Sequence, residues 1–434
     1  MDCANLDQTN VYLARSGTSP LEIRLREGEY ASLGDPFLST IPHIGRLKAL
    51  TFTGSWNNIL KLAEHFKYPA PLLRKLDIRV RAACTPRTEI SIFKRDFSSL
   101  RELRLSKVLT DLPLQNLSNL TRLDFHRVPN ITMTRLLSIF EHASLLRQIR
   151  LADSLPDSSD APDERVVPLP HLELLRTHGR PAPSILLNHL HIPAGAFLIL
   201  EFGFSGGSPL PGSLPTPLDN LGNISHITSV NLNFKSGMTM GLKGPSGALS
   251  VVGHWAAGGG PPPTLDHQIL RSFNGFRTST IENLMITQCV ELDDPVTEGS
   301  SAGEAFSIMD NLRTLTLVDC GNLSFIRALD PNRNTSNTVV CPKLEELVLC
   351  IGWDREKESS VDRLLEMARE RALRGARLPN LKIICPLESI PAEKAVDLRS
   401  CVSGVEYHYG PDYPFPEWCA VPDGIDEFVS EVDW

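Results

Sequence analysis

The stretch GFSGG at 203–207 has the G-x-S-x-G spacing of a nucleophile elbow, and it follows the apolar run FLILEF. Such an elbow exposes a serine Oγ at a strand end and needs a helix immediately after it. Pro209, Pro211, Pro215 and Pro217 follow instead, and proline breaks a helix interior. The stretch reads as a turn, and a hydrolase using Ser205 is only a remote alternative. His189 and His191 form H-x-H, which on a strand would place both rings on one face, as metal ligands require. No Cys, Asp or Glu is close in sequence, and LLNHLHI is amphipathic, so ordinary strand positions are expected. GLKGPSG at 241–247 is glycine-rich but lacks the G-K-[ST] ending of a phosphate loop, and reads as a hairpin turn. Cys320 has Asp319 beside it and Arg313 seven residues upstream, so nothing in sequence lowers its pKa. It reads as a small buried turn residue. His254 beside Trp255 is a loop pair able to meet a partner. The charges of MARERALRG read as the solvated face of a helix. No spacing joins two carboxylates for acid–base work. No catalytic residue, cofactor or metal is expected, and the chain is read as not an enzyme.

Those residues must be positioned by something larger than one compact core, because the chain has 434 residues. Two or three domains, or one elongated repeat architecture, would fit. A hydrophobic content of 41% supports a core, and the net charge of −8 argues against a nucleic-acid partner. No apolar run approaches the ~18 residues of a membrane span. The first residues, MDCANLDQTNVYLARSG, lack the basic start and apolar core of a secretory signal. Nine cysteines occur without a C-x-x-C pair, several inside apolar runs such as LVLC. They read as reduced, buried thiols of an intracellular protein, cytoplasmic or nuclear. Six N-x-[ST] sequences read as polar loop positions.

A pattern recurs along the chain: Leu, two residues, Leu, one residue, large apolar. It appears as LKALTF (47–52), LRKLDI (73–78), LRELRL (100–105), LTRLDF (120–125), LRQIRL (146–151) and LELLRT (172–177). It returns as IENLMI (281–286), LRTLTL (312–317), LEELVL (344–349) and LPNLKI (378–383). The first six start 26, 27, 20, 26 and 26 residues apart, within the leucine-rich-repeat range. Chance placement of leucine would give roughly three strict matches; at least nine are present. The last two apolar positions are two apart, so they share one face of a strand. One such unit cannot cover its own face, so neighbours must stack.

Between the strands, helices are predicted over 57–66, 132–143, 265–273 and 360–375. The last carries an apolar stripe of Val361, Leu364, Leu365, Ala368 and Ala372. Ser359 with Asp362 reads as its capping pair and Gly375 as its stop. The predicted fold is α/β: an irregular leucine-rich-repeat solenoid over 1–410, with parallel strands on the concave face and helices on the convex side. A β-rich insertion over 203–264 interrupts it. The acidic loop LPDSSDAPDER (155–165) reads as a projection. The segment 411–434 holds seven acidic residues, no basic ones and five aromatics, and reads as a cap or a free tail.

Taken together, SPLEIRL, MDNLRTLTLVDC, FIRALDP, CPKLEELVL, LLEMARERALRGARL and VSGVEYHY resemble the F-box/leucine-rich-repeat-like family of mushroom-forming fungi. The resemblance spans nearly the whole chain and is strongest over 305–410. It implies repeats that hold a substrate, downstream of an F-box that docks the adaptor of a cullin-type ubiquitin ligase. No F-box is visible ahead of NVYLARSGTSPLEI. The adaptor is therefore expected as a partner only if an F-box is restored upstream.

The expected function is a non-catalytic protein-recognition module resembling the substrate-binding repeats of such a receptor. The alternative is a structural or vestigial repeat protein with no ligase role. The partner would be a protein or peptide, without nucleic acid or membrane. Its expected contacts lie between the inward leucines: Arg101, Glu102 and Arg104; Arg313, Thr314 and Thr316; Glu345, Glu346 and Val348.

Overall fold

A computed structural model of the protein describes residues 6–26, 39–65, 68–81, 90, 97–111, 113–156, 160, 164–179, 183–204, 214, 218–233, 237–255, 277–287, 301–318, 322–333, 339–350, 357–385 and 390–409. Ser205, Cys320, the predicted helix 265–273 and the tail 411–434 lie outside them. The chain is α/β, with large, mostly parallel sheet structure and helices in its connections. It divides into two compact units, Met1–Phe202 with Leu214–Gly222, and Gly203–Ser213 with Asn223–Trp434. No helix among the described residues is long and apolar enough to cross a membrane.

The first unit begins with α1 (Leu6–Arg15) and β1 (Leu21–Arg26), then β2 (Leu47–Gly54), α2 (Trp56–His65), β3 (Lys75–Val80), β4 (Glu102–Ser106) and β5 (Arg122–His126). It continues through α3 (Met133–His142), β6 (Gln148–Ala152), β7 (Val167–Pro168), β8 (Leu174–His178), α4 (Ser184–Leu187), β9 (Leu190–His191) and β10 (Phe197–Phe204). The strands β1-β2-β3-β4-β5-β6-β8-β10 lie side by side, all parallel, and β7 pairs with β9 apart from them. The repeat leads Leu47, Leu73, Leu100, Leu120, Leu146 and Leu172 are all buried, as are both inward positions on each following strand, which are apolar except for Thr177. Each fully buried leucine contributes about 1.5–3 kcal/mol, so the repeated pattern is the core.

The connections are made locally. Leu73, Leu100, Leu120, Leu146 and Leu172 each close a tight turn, donating N–H to the carbonyl three residues back. Helix α2 matches the predicted segment within one residue and buries Ile59, Leu62 and Ala63. Helix α3 starts where Thr132 Oγ1 accepts the Arg135 N–H, an N-cap that satisfies one otherwise orphaned donor. The described part of the acidic loop does not project. Asp160 accepts the Thr134 N–H at 2.9 Å, and Arg165 forks Glu141 at 2.8 and 3.0 Å, so its middle and its far end are tied to α3. The Arg165 fork holds the Glu141 carboxyl below the usual range, and the helix N–H does the same for Asp160.

Where β4, β5, β6 and β8 end, the next residue takes a left-handed backbone: Lys107, Arg127, Asp153 and Gly179, with φ of 58°, 51°, 47° and 100°. Each donates its N–H to a carbonyl of the neighbouring strand in the sheet, at 2.7 to 3.0 Å. Gly179 is required there. A Cβ would run into the Asp153 carboxylate and lie 3.2 Å from the Asp153 Cα, besides the left-handed strain.

The second unit runs β11 (Ser229–Asn233), β12 (Gly237–Lys243), β13 (Ala248–Trp255), β14 (Asn283–Thr287), α5 (Ser301–Ser307), β15 (Thr314–Val318) and α6 (Asn322–Leu329). It then adds β16 (Glu346–Cys350), α7 (Lys357–Leu373), β17 (Asn380–Cys385), α8 (Ala392–Cys401) and β18 (Gly404–Tyr409). The side-by-side order is β13-β12-β11-β14-β15-β16-β17-β18. From β11 through β14 to β18 the pairs are parallel; β11–β12 and β12–β13 are antiparallel. GLKGPSG closes the β12–β13 hairpin, with the Gly244 N–H on the Gly247 carbonyl. The expected β-rich irregularity is thus a hairpin inserted in an otherwise parallel run.

Two details of α7 differ from expectation. It includes Lys357 and Glu358, so Ser359 lies within the helix and is not its cap. Arg371 is fully buried rather than solvated, donating Nη1 to the Val340 carbonyl at 2.7 Å and Nη2 to that of Cys341 at 3.0 Å. Cys341 has φ 46°, and the buried guanidinium holds this bend by its two carbonyls. Gly375, at φ 77°, ends the helix, and the Ala376 N–H reaches back to the Arg371 carbonyl, a Schellman closure.

Candidate recognition surface

Parallel register places three rows of side chains on the face of the first unit that the leucines leave. The middle row reads Arg24, Thr51, Asp77, Arg104, Asp124, Arg150, Arg176, Ile199 from β1 to β10. Each of the first seven residues sits between two inward apolar side chains, or in place of one such neighbour a buried Thr177, because strand side chains alternate. The row on the entering side of the strands carries Glu22, Lys75, Glu102 and Arg122. The row on the leaving side carries Arg26, Arg79, His126, His178 and Glu201.

The charges are interlocked. Arg79 forks Asp77 with two contacts of 2.9 Å. Lys75 lies 3.3 Å from Glu102. Asp124 stands between Arg104 and Arg150, with one oxygen 3.9 Å from each. Arg176 donates to both oxygens of Glu201 at 2.9 and 3.2 Å, and His178 Nδ1 lies 3.1 Å from the same carboxylate. The row is recessed: the side chains of Arg104, Arg150 and Arg176 are 18, 21 and 10% exposed. Burial lowers the pKa of Arg150, and the nearby Arg176, Arg122 and Arg104 add to this against Asp124. Burial, aided by Arg127, likewise lowers that of His126, whose Nδ1 is 3.1 Å from Ser106 Oγ.

Of the nine expected contact residues, Glu102 and Arg104 lie on this face, and Arg101 is exposed just ahead of it. The Arg101 carbonyl accepts the N–H groups of Thr121 and Arg122, so its backbone is structural while its side chain is outside. In the second unit Arg313 and Glu345 are exposed and paired at 3.0 Å, Thr314 is half-buried, and Glu346 meets Lys382 at 2.7 Å. Thr316 and Val348 are not outward-facing. They are 1 and 2% exposed. Val348 clusters with Met285, Val318, Cys350 and Ile384. Here both faces of the strands are buried, and Thr316 Oγ1 has no hydrogen-bond partner among the described residues.

Asp77, Asp124, Arg150, Arg176 and Glu201 were not anticipated. The signal was present: the residue between the two strand apolar positions is charged in LRKLDI, LTRLDF, LRQIRL and LELLRT. The other chemistry-bearing motifs do not converge. His189 is buried with Nδ1 2.9 Å from the Arg165 carbonyl, whereas His191 is exposed. No group of three or more His, Cys, Asp or Glu able to hold a metal occurs among the described residues. His254 and Trp255 end β13. Cys341, Cys350 and Cys401 are buried, and burial pushes the Cys341 thiol up to about 12, far from a thiolate. Compared with models of known families and with curated proteins, the chain matches none.

Proposed function

We propose that the chain is a non-catalytic protein-recognition module built on a leucine-rich-repeat plan, and that the open face of its first unit binds a protein or peptide. The observation that carries this is the alternation on β1 to β8. Buried apolar residues alternate with mostly charged side chains held in register, on a face where Glu22, Arg24, Arg26 and Arg79 are exposed and Arg104, Asp124 and Arg150 are recessed. Parallel strands repeat this presentation at intervals of about 4.8 Å, which suits a polypeptide surface rather than a small enclosed substrate. The resemblance to F-box receptors adds substrate capture for ubiquitin transfer as the setting, with the ligase adaptor as a second partner wherever an F-box accompanies the repeats.

The test is affinity capture from a cell lysate with three baits: the native chain, Arg24→Glu with Arg79→Glu on the open face, and Glu366→Lys on an exposed position of α7. Proteins kept by the native and α7 baits but lost by the open-face bait support the reading. Identical sets on all three folded baits overturn it.

A further inference from the structure

Resting on that recognition reading, we propose that the partner segment is an acidic peptide, seated on the Arg104, Asp124, Arg150, Arg176 row of the first unit. The three rows together hold eight cationic and five anionic side chains, an excess of three positive charges in a chain whose net charge is −8. The cations cluster about Arg150: Arg104, Arg122 and Arg176 all bear on it, and Asp124 lies 3.9 Å from both Arg104 and Arg150. Adjacent parallel strands are about 4.8 Å apart, so these guanidinium groups recur at intervals that neighbouring acidic side chains of an extended segment can reach. The row is recessed, so an arriving carboxylate or phosphate meets the arginines where water screens weakly. It also relieves the mutual repulsion that bears on Arg150. Arginine stays protonated and binds such groups through a planar fork.

A peptide fits better than a nucleic acid. Five carboxylates interleave with the cations, with Asp77 on one side and Glu201 on the other. A continuous phosphate backbone would be repelled at each, and nucleic-acid binding draws on net positive charge. A polypeptide can place an acid opposite an arginine and a neutral or basic residue opposite Asp77 or Glu201.

The experiment is fluorescence anisotropy on the full chain with a labelled twelve-residue peptide carrying five glutamates among glycine and serine. The matched glutamine peptide and a short single-stranded oligonucleotide are the competitors. The acidic peptide is expected to bind, to weaken as salt rises, and to lose about tenfold in affinity with Arg150→Gln or Arg104→Gln. Arg369→Gln, at an exposed position of α7, should leave it unchanged. Equal binding of the glutamine peptide, or full affinity in folded Arg150→Gln, overturns the acidic class while the capture result for the open face stands on its own. Tighter binding of the oligonucleotide overturns it in favour of a nucleic acid. If neither arginine variant folds, salt-independent binding of the acidic peptide to the native chain still overturns it.

Discussion

In the first unit the residue between the two strand apolar positions is Asp77, Arg104, Asp124, Arg150 or Arg176; in the second it is Met285, Thr316, Val348 or Lys382. The leucines on either side are buried alike in both. One position per strand therefore separates strands whose second face carries charge from β14, β15 and β16, where Met285, Thr316 and Val348 bury that face; on β17 Lys382 keeps it charged and part-exposed. Buried strands on both sides read as continuous apolar runs, whereas half-exposed ones alternate, and LVLC (347–350) and LDIRV (76–80) follow that rule here. The repeat supplies the scaffold, and the intervening residue decides whether a face is available to a partner.

The most damaging way to break this comparison is to exchange the intervening residues. Val348→Arg places a charge inside the apolar cluster of the second unit and is expected to cost about 3–5 kcal/mol. The reverse change, Arg104→Val, should stay within about 1 kcal/mol. Urea unfolding of both variants measures the asymmetry, and equal losses would abolish the distinction between the faces. Next in size, Gly179→Ala should destabilise by about 2 kcal/mol, through left-handed strain and collision with Asp153. The same unfolding curves read it, and a loss near zero would mean that the strand ends yield freely. Thr316→Val should instead stabilise by about 1 kcal/mol, because a buried hydroxyl without a partner is replaced by a methyl group. A drop in the unfolding midpoint would show that the hydroxyl is satisfied.

The smallest effect concerns pH. Folding lowers the pKa of His126 from the ordinary 6.5, first by burial and then through Arg127. Below 6.5 the unfolded chain binds more protons than the folded one, so stability falls as pH drops through that value and levels off below the lowered one. His126→Gln should remove this share. Between pH 8 and 5 the native midpoint should therefore fall further than the variant's, and parallel curves would leave the ring without influence.

Much of the fold was legible because the spacing of leucines encodes burial directly. Each repeat lead became a buried turn closure, and each following pair became the inward side of a strand. The helices at 56–65, 133–142 and 357–373 followed from their apolar stripes. Arg371 was not legible, because a guanidinium at a charged helical position looks solvated until the two carbonyls it holds are known. The contact residues were legible in part. Placing every intervening residue outward assumed that the far face of each strand is open. It fails at Val348 and Thr316, where that face meets Met285, Val318 and Cys350, and even the charged Asp77 and Arg176 are almost wholly buried. Asp124, Arg150 and Arg176 were passed over because their importance lies in parallel register, which joins residues 26 positions apart.

The left-handed residues that close β4, β5, β6 and β8 bear on how the first unit forms. Each joins its strand to its neighbour in the sheet, the next strand along the chain for β4 and β5 and the next but one for β6 and β8, and the pairing order from β1 to β6 is the order of synthesis. Every new strand therefore closes a loop of similar, modest length onto a partner already made, which keeps the entropic penalty nearly constant at each step. Assembly of this run can proceed as a zipper that starts at any adjacent pair, with opening that frays from its ends.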